Sequence, residues 1–242
     1  MSISLEPVLE LPQDNEFEYY PGRESTALLI AVTEWTKSVK KSFEKRYIRG
    51  LGENVDGQSV LLCRYLVPQA PPTDVYNISN QSGKMDPFAI EKAARYVSLI
   101  PFIEDNAAFQ DMPDLYCNSQ EFLDLGAGDF EEHAILLCNY FNYIDQQQGK
   151  INYKSYLTLG TGFPEGRTAY VIRRNIENNH IELWNPMKAE AYFYGRQETK
   201  ENVGCLNISK GFKMDKGLND AICQLRSVGC IISGDNVWAN VQ

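Results

Sequence analysis

Apolar residues recur at helical spacing near the start of the chain, with steps of three and four residues. They are Leu28, Val32, Trp35, Val39 and Phe43. This spacing predicts an amphipathic helix, and Ser25 stands before it as a suitable N-cap. The preceding residues 1–22 are acidic and interrupted by prolines, which predicts an extended arm.

A proline-rich stretch then divides the chain. The apolar run at residues 59–67 predicts a short buried strand closed by Pro68. Residues 68–87 contain four prolines, which exclude a continuous helix or central strand there. The sequence therefore predicts an N-terminal arm with an amphipathic basic helix and a short strand (1–67), a linker (68–87) and a domain (88–242).

The predicted domain begins with helices and continues with strands. Asp86 is the expected N-cap of a helix over residues 87–98, and a short helix follows Asn118 or Ser119. The almost wholly apolar residues 134–144 predict a buried core helix, capped by Asp129 with Glu132 three residues later. Apolar runs between turn residues predict four strands, at 153–159, 168–174, 181–184 and 191–194, and the end of the chain, 228–242, also has strand character. This order predicts an α+β fold in which the central helix packs on an antiparallel sheet.

Composition narrows the classes of function. The net charge of −9 argues against a general nucleic-acid binder, because affinity for phosphates comes mainly from lysine and arginine. No apolar run is long enough for a membrane span and the start lacks the features of a signal peptide, so we expect a cytoplasmic protein. The six cysteines are scattered without a C-x-x-C pair, so neither a metal site nor a cofactor is expected. The apolar end of the chain, without a polar tail, fits a fragment of a longer protein, a short paralogue or a divergent member of a lineage, and the sequence leaves these alternatives open.

The predicted N-terminal helix carries a basic face opposite its apolar one, formed by Lys37, Lys40, Lys41 and Lys45. The simpler interpretation is a helix docked on its own protein with solvated lysines. The alternative is peripheral contact with an anionic membrane or a partner's groove.

The glycine turn Gly126-Ala127-Gly128 leads directly into the core helix. A thiol at the first position of such a helix would face the positive end of the helix dipole, which lowers a cysteine's pKa. Phe130 holds that position. The segment therefore has the glycine turn and the capped helix of a nucleophile site, but Phe130 cannot act as a nucleophile.

These segments resemble the transglutaminase-like (papain-like) thiol hydrolase superfamily. The likeness lies in Asp114-Leu-Tyr116, Ser119-Gln-Glu-Phe-Leu123 and Gly128-Asp-Phe-Glu-Glu-His-Ala134. Active members of the superfamily have a catalytic Cys, His and Asp. The resemblance implies that this chain carries Phe130, Thr168 and Asn185 at the three corresponding positions. None of the three replacements can perform the corresponding step of a cysteine-protease triad.

Longer strings, including residues 90–102, 120–129 and 228–238, resemble the transglutaminase-like segment of the coiled-coil and C2 domain-containing protein 2A family. That family belongs to the transition zone at the base of cilia. The resemblance implies a catalytically inactive module for structure or protein interaction in ciliogenesis, with other ciliary-base proteins as partners.

Two further functions stay open at this point. The vestigial site, expected to bring together Phe130, Thr168, Tyr170, Trp184 and Asn185, could bind a modified peptide such as a glutamylated tail, although filling of the old pocket by Phe130 is favoured. The other is a thiol hydrolase with a non-standard nucleophile, for which Cys117 is the candidate. We expect packing or capping roles for His133 and Cys138, and a surface turn position for His180.

Overall fold

The computed structural model describes residues 5–8, 24–76, 86–108, 114–194, 205–207 and 223–241. Its helices are α1 (Thr26–Ser42), α2 (Ala89–Val97), α3 (Asp105–Ala108), α4 (Ser119–Leu125) and α5 (Phe130–Gln147), with a 3₁₀ turn at Leu62–Tyr65. Its strands are β1 (Leu5–Val8), β2 (Leu51–Glu53), β3 (Ser59–Leu61), β4 (Tyr153–Gly162), β5 (Gly166–Asn175), β6 (Ile181–Asn185), β7 (Glu190–Tyr194), β8 (Cys205–Asn207), β9 (Leu225–Ile232) and β10 (Val237–Asn240). The predicted α+β class is confirmed.

One antiparallel sheet carries the described strands other than β2 and β3, which form a separate hairpin. Its order is β1-β10-β9-β4-β5-β6-β7-β8. The longest ladder joins β4 to β5, from Tyr153 opposite Asn175 to Gly162 opposite Gly166. All four strands predicted between residues 153 and 194 are confirmed, and β4 and β5 are longer than expected because pairing continues to the glycines of the hairpin.

The core helix α5 is buried along most of its length and packs against β4 and β5. A helix that is apolar on nearly all sides is stable only inside a core, which explains this central position. The ring of Phe141 meets that of Trp184 from β6 at 5.2 Å between centroids. Leu28 and Val32 of α1 belong to the same hydrophobic cluster, so residues on both sides of the proline-rich segment 68–87 share one core.

The two faces of the sheet carry different residues because successive side chains of a strand point to opposite sides. On the helix face, next to α5, lie Ala169, Val171 and Trp184. On the outer face, Tyr170 and Leu183 belong to a second cluster. Consecutive residues of β5 and β6 therefore lie on opposite faces of the sheet. The candidate site residues on these strands are divided between the two faces in the same way.

The predicted caps are found at α1 and α5. Ser25 accepts a hydrogen bond from the Leu28 backbone N–H at 3.3 Å, and Asp129 and Glu132 form the reciprocal capping box of α5. The predicted start of α2 is too early, because Asp86 caps a turn through the Phe88 N–H and the helix begins at Ala89.

The strand predicted over residues 59–67 is wrong beyond Leu61. The chain turns into the 3₁₀ helix there, since its partner β2 offers only three residues for pairing. Within the part of the chain described, no helix combines the length and apolar character needed to cross a bilayer.

Candidate functional site

The N-terminus of α5 is positioned by the glycine turn that precedes it. Gly126 ends α4 in the left-handed conformation, with φ of 69°, which glycine adopts without strain. At Gly128 an added Cβ would lie 2.8 Å from the Phe122 ring, so only glycine lets the turn approach α4 this closely. The sequence thus fixes where the first residue of α5 stands.

Phe130 opens α5 and is partly buried against the core. Its ring lies 4.8 Å from that of Phe102, centroid to centroid, at an angle of 52°. Aromatic pairs at this separation and tilt are favourable beyond the area they bury. The position at which the dipole could activate a nucleophile is therefore occupied by one half of an apolar ring pair.

The other expected site residues are divided between the two faces of the sheet. Tyr170 faces outward, and its hydroxyl accepts a hydrogen bond of 3.0 Å from Asn185 Nδ2. Thr168 shares this face with Tyr170 because it lies two residues away on β5, whose pairing with β4 is regular. Trp184 instead faces α5 and donates through Nε1 to Glu182 at 3.0 Å.

The structure therefore does not bring together the five residues expected in the vestigial site, which are Phe130, Thr168, Tyr170, Trp184 and Asn185. Thr168, Tyr170 and Asn185 lie on the outer face, whereas Phe130 and Trp184 lie on the helix side of the sheet. The reason is strand alternation. Both faces of β5 are covered by packed residues, so the sequence did not reveal which side chains point toward α5.

A network of tyrosine hydroxyls and carboxylates lies beside the start of α5. The Tyr47 hydroxyl donates to Glu131 Oε1 at 2.8 Å and lies 2.9 Å from the Tyr116 hydroxyl. Arg49 pairs with Asp114 at 3.0 Å, and its guanidinium lies 5.3 Å from the centroid of the Tyr116 ring. These contacts join the segment after α1 to the segment before α4 and to α5.

The buried carboxyls of this region have raised pKa values. Burial, and secondly Asp129, raises the pKa of Glu131 well above its ordinary value. Burial, and then the hydrogen bond with Glu132, raises the pKa of Asp129 to about 9. Glu132 accepts from the backbone N–H groups of Cys117 and Asp129, and burial still raises its pKa to about 7. The site therefore holds protons on acidic groups near neutral pH.

Three carboxylates in this region, from Asp105, Asp114 and Asp129, have oxygens within 4.8 Å of one another. Such oxygens are ligands for hard cations. Each carboxylate already has a protein partner: the Leu115 N–H for Asp105, the Arg49 guanidinium for Asp114, and the Glu131 N–H for Asp129. Protein groups thus account for the arrangement without an ion.

Both histidines are engaged in packing contacts with neighbouring groups. His133 is fully buried, its ring nitrogens face the carbonyl oxygens of Asp129 and Ile100 at 2.6 and 3.1 Å, and its ring packs on Phe122. Burial lowers its pKa. This is a packing position, as expected. His180 follows a turn just before β6 and stacks on Phe193, with 5.9 Å between centroids.

Five of the six cysteine thiols are poorly suited to nucleophilic attack. Burial, reinforced by Glu132, raises the pKa of Cys117 to about 12, and burial raises the pKa of Cys63 and Cys230 to about 12. Burial also raises the pKa of Cys138, inside α5, and of Cys223. Thiolate, the reactive form, is therefore scarce at neutral pH in this part of the chain.

Two residues at this site were missed in the sequence. Tyr47 lies 84 positions from Glu131, and Arg167 lies on β5 with its guanidinium 5.2 Å from the Tyr47 ring centroid. Arg167, rather than Thr168, thus packs on Tyr47, the residue that donates a hydrogen bond to Glu131 of α5. Arg167 lies two residues before Ala169 and four before Val171, so it points to the same face of β5 as they do. This spacing could have identified Arg167 if the face that packs against α5 had been known.

A separate apolar groove of about 300 Å³ lies on the other side of the glycine turn. It is lined by Tyr96, Leu99, Ile100, Pro101, Leu123 and Gly126. Leu99 and Leu125 are exposed beside it, at 61% and 56%. The groove contains none of the five residues expected in the vestigial site.

Comparison of the sequence with known proteins identifies one matching protein family and two similar proteins. Residues 114–242 match the family model of the CEP76 peptidase-like domain. Human "Protein CC2D2B" is 32% identical over 219 residues, covering 90% of this chain and 13% of that protein. Coiled-coil and C2 domain-containing protein 2A of Drosophila melanogaster is 24% identical over 199 residues, covering 82% of this chain and 12% of that protein. The chain thus corresponds to about an eighth of the length of these relatives.

Proposed function

This chain belongs to the family of CEP76 peptidase-like domains, in the form found in coiled-coil and C2 domain-containing proteins, and we propose that it is a catalytically inactive, papain-like module that serves as a structural and protein-interaction part of a ciliary-base assembly. The observation that carries this proposal is Phe130. It holds the first position of α5, where the geometry would favour a nucleophile.

The replaced triad is part of the same proposal. We assign Phe130, Thr168 and Asn185 to the positions of Cys, His and Asp in active superfamily members. Asn185 is engaged with Tyr170, and Phe130 with Phe102, so these side chains contribute packing and hydrogen bonding to the fold. The buried thiols give further support, since their raised pKa values leave little thiolate for chemistry elsewhere in the described chain.

The proposed location, a cytoplasmic position at the cilium base, follows from the relatives rather than from the geometry. Coiled coils and C2 modules, named in one relative, are general means of assembly and surface attachment. A domain whose polar site has been replaced by packed side chains suits the role of a rigid spacer or docking platform between such modules. Its partners would be other proteins of that assembly.

Two alternatives have weaker support. A thiol hydrolase using Cys117 would need a thiolate beside Glu132, where burial and negative charge oppose its formation. Binding of a glutamylated peptide over Phe130, Thr168, Tyr170, Trp184 and Asn185 would need one surface, whereas these residues occupy two sides of the sheet.

Complementation in ciliated cells that lack the full-length parent protein tests the proposed role. We expect full-length protein with Cys117→Ala in this domain to restore cilia as well as wild type. Arg173→Met, which removes a buried ion-pair partner and destabilises the domain, should fail. Loss of complementation by Cys117→Ala, with the domain folded and the protein at normal level, would instead favour the hydrolase.

A further inference from the structure

Several cations crowd together where the end of α1 meets the start of β5. Arg49 and Arg167 place their guanidinium carbons 6.0 and 5.2 Å from the centroid of the same Tyr47 ring. Lys40 of α1 lies near both, and its pKa is lowered by burial and then by the positive charges of Arg49 and Arg167. Like charges are thus held close together at one edge of the protein.

Most of these cations have no acidic partner at ion-pair distance in the part of the chain that the structure describes. Arg49 is paired with Asp114 at 3.0 Å. Among the residues that the structure describes, neither Arg167 nor any of Lys37, Lys40, Lys41 and Lys45 has a carboxylate within 4.0 Å. We call Lys37, Lys40, Lys41, Lys45 and Arg167 the basic patch. All five side chains are exposed, although the protein as a whole has a net charge of −9.

An exposed aromatic side chain lies at the same end of the β4–β5 ladder as Arg167. Phe163 stands at the tip of the β4–β5 hairpin and is 69% exposed. Arg167 follows the pair Gly162–Gly166 that closes this hairpin, so the two side chains belong to the same end of the sheet. Glu165, the acidic residue of this loop, lies 3.8 Å from Lys188. Its charge is therefore partly offset.

A basic surface combined with an exposed aromatic ring fits an anionic membrane better than it fits a soluble polyanion. Lysine and arginine near an anionic leaflet each contribute to attraction, and an exposed apolar ring is stabilised by burial at the boundary between headgroups and acyl chains. A soluble acidic peptide would use the cations alone, and burial of Phe163 would add nothing to its binding.

We propose that the basic patch and Phe163 form a peripheral docking surface for an anionic lipid bilayer, with the lysines and Arg167 against headgroup phosphates and the Phe163 ring at the headgroup boundary. The surface lies at one end of the β4–β5 ladder. It is independent of whether the domain is catalytically inactive.

Co-sedimentation with phosphatidylcholine vesicles, with and without phosphatidylserine, tests this proposal. Binding should require phosphatidylserine and weaken as salt is raised. Each change of Lys37, Lys41 or Arg167 to Ala should weaken binding about five-fold, and Phe163→Ala about ten-fold. All four side chains are exposed, so circular dichroism should report an unchanged fold.

Matched controls lie at the opposite end of the same ladder. Ile151, which is 81% exposed, and the exposed Lys154 can each be changed to Ala there. Neither change should alter vesicle binding. The proposal is overturned if binding ignores phosphatidylserine, if the controls weaken it equally, or if the protein binds soluble poly-glutamate with full loss on Arg167→Ala and none on Phe163→Ala.

Discussion

The attachment of α5 to the sheet depends on one buried arginine, and its removal gives a quantitative test of the fold. Arg173 of β5 donates from Nε and Nη2 to the two carboxylate oxygens of Asp145 at 2.8 and 2.6 Å. Its Nη1 donates to Glu182 at 2.7 Å, and its guanidinium carbon lies 3.9 Å from the Tyr153 ring centroid. One guanidinium thus joins α5, β5 and β6.

The expected cost follows from burial. The side chains of Arg173 and Asp145 are 5% and 2% exposed, and that of Glu182 is 10% exposed. Arg173→Met leaves two carboxylates without their charged partner in a region that water barely reaches. Removing one member of a buried ion pair costs about 3–5 kcal/mol, which is a large share of the roughly 5–15 kcal/mol that stabilises a typical domain.

Urea unfolding followed by circular dichroism measures this change. The midpoint should fall strongly for Arg173→Met and hardly at all for Arg174→Met, the exposed neighbour on the same strand. Adding Asp145→Asn and Glu182→Gln to Arg173→Met should recover part of the loss, because the unpaired charges are then gone. An Arg173→Met protein within about 1 kcal/mol of wild type would refute the reasoning.

Three other predictions concern the site. Folding raises the pKa of Asp129 to about 9 and that of Glu132 to about 7. The folded state therefore binds more protons than the unfolded chain, so the free energy of unfolding should fall as pH rises from about 5 to 9. Urea midpoints that stay constant or rise across this range would contradict this prediction. Tyr47→Phe removes the donor to buried Glu131 and should cost about 1–3 kcal/mol in the same unfolding assay. Phe130→Cys should give a folded protein without peptidase activity on a casein substrate, because Thr168 and Asn185, which we assign to the His and Asp positions, cannot serve as base and orienting carboxylate; measurable hydrolysis would disprove that.

Local signals in the sequence predicted the elements well, whereas long-range contacts and strand faces were not predictable. The caps at Ser25 and Asp129 depend on neighbours within three residues, so their pattern is readable directly. Thr168 and Arg167 could not be assigned to a face, because β5 is buried on both sides and its apolar residues do not alternate with polar ones. The contact of Tyr47 with Glu131 joins distant segments through packing of the whole domain.

These differences change the description of the vestigial site. The residues that we assign to the triad positions are distributed over two sides of the sheet, while the helix start has as neighbours Phe102, the Tyr47–Tyr116 pair and carboxyls with raised pKa values. The local scaffold for a nucleophile, a glycine turn followed by a capped buried helix, is present. The contacts around it stabilise the fold, and within the described residues the hydrogen bonds and ring contacts of both histidines are made with groups other than a cysteine thiol.

Thiol reactivity of the folded protein at neutral pH tests the proposed lack of catalysis most directly. The intact chain would be treated with iodoacetamide, and labelling of each cysteine would be followed by mass spectrometry alongside the urea-unfolded chain and a Cys117→Ala variant. Our account predicts slower reaction in the folded than in the unfolded protein, because burial raises each pKa, for Cys63, Cys117, Cys138, Cys223 and Cys230. Rapid labelling of one cysteine in the folded protein, above all a signal lost in Cys117→Ala, would contradict it.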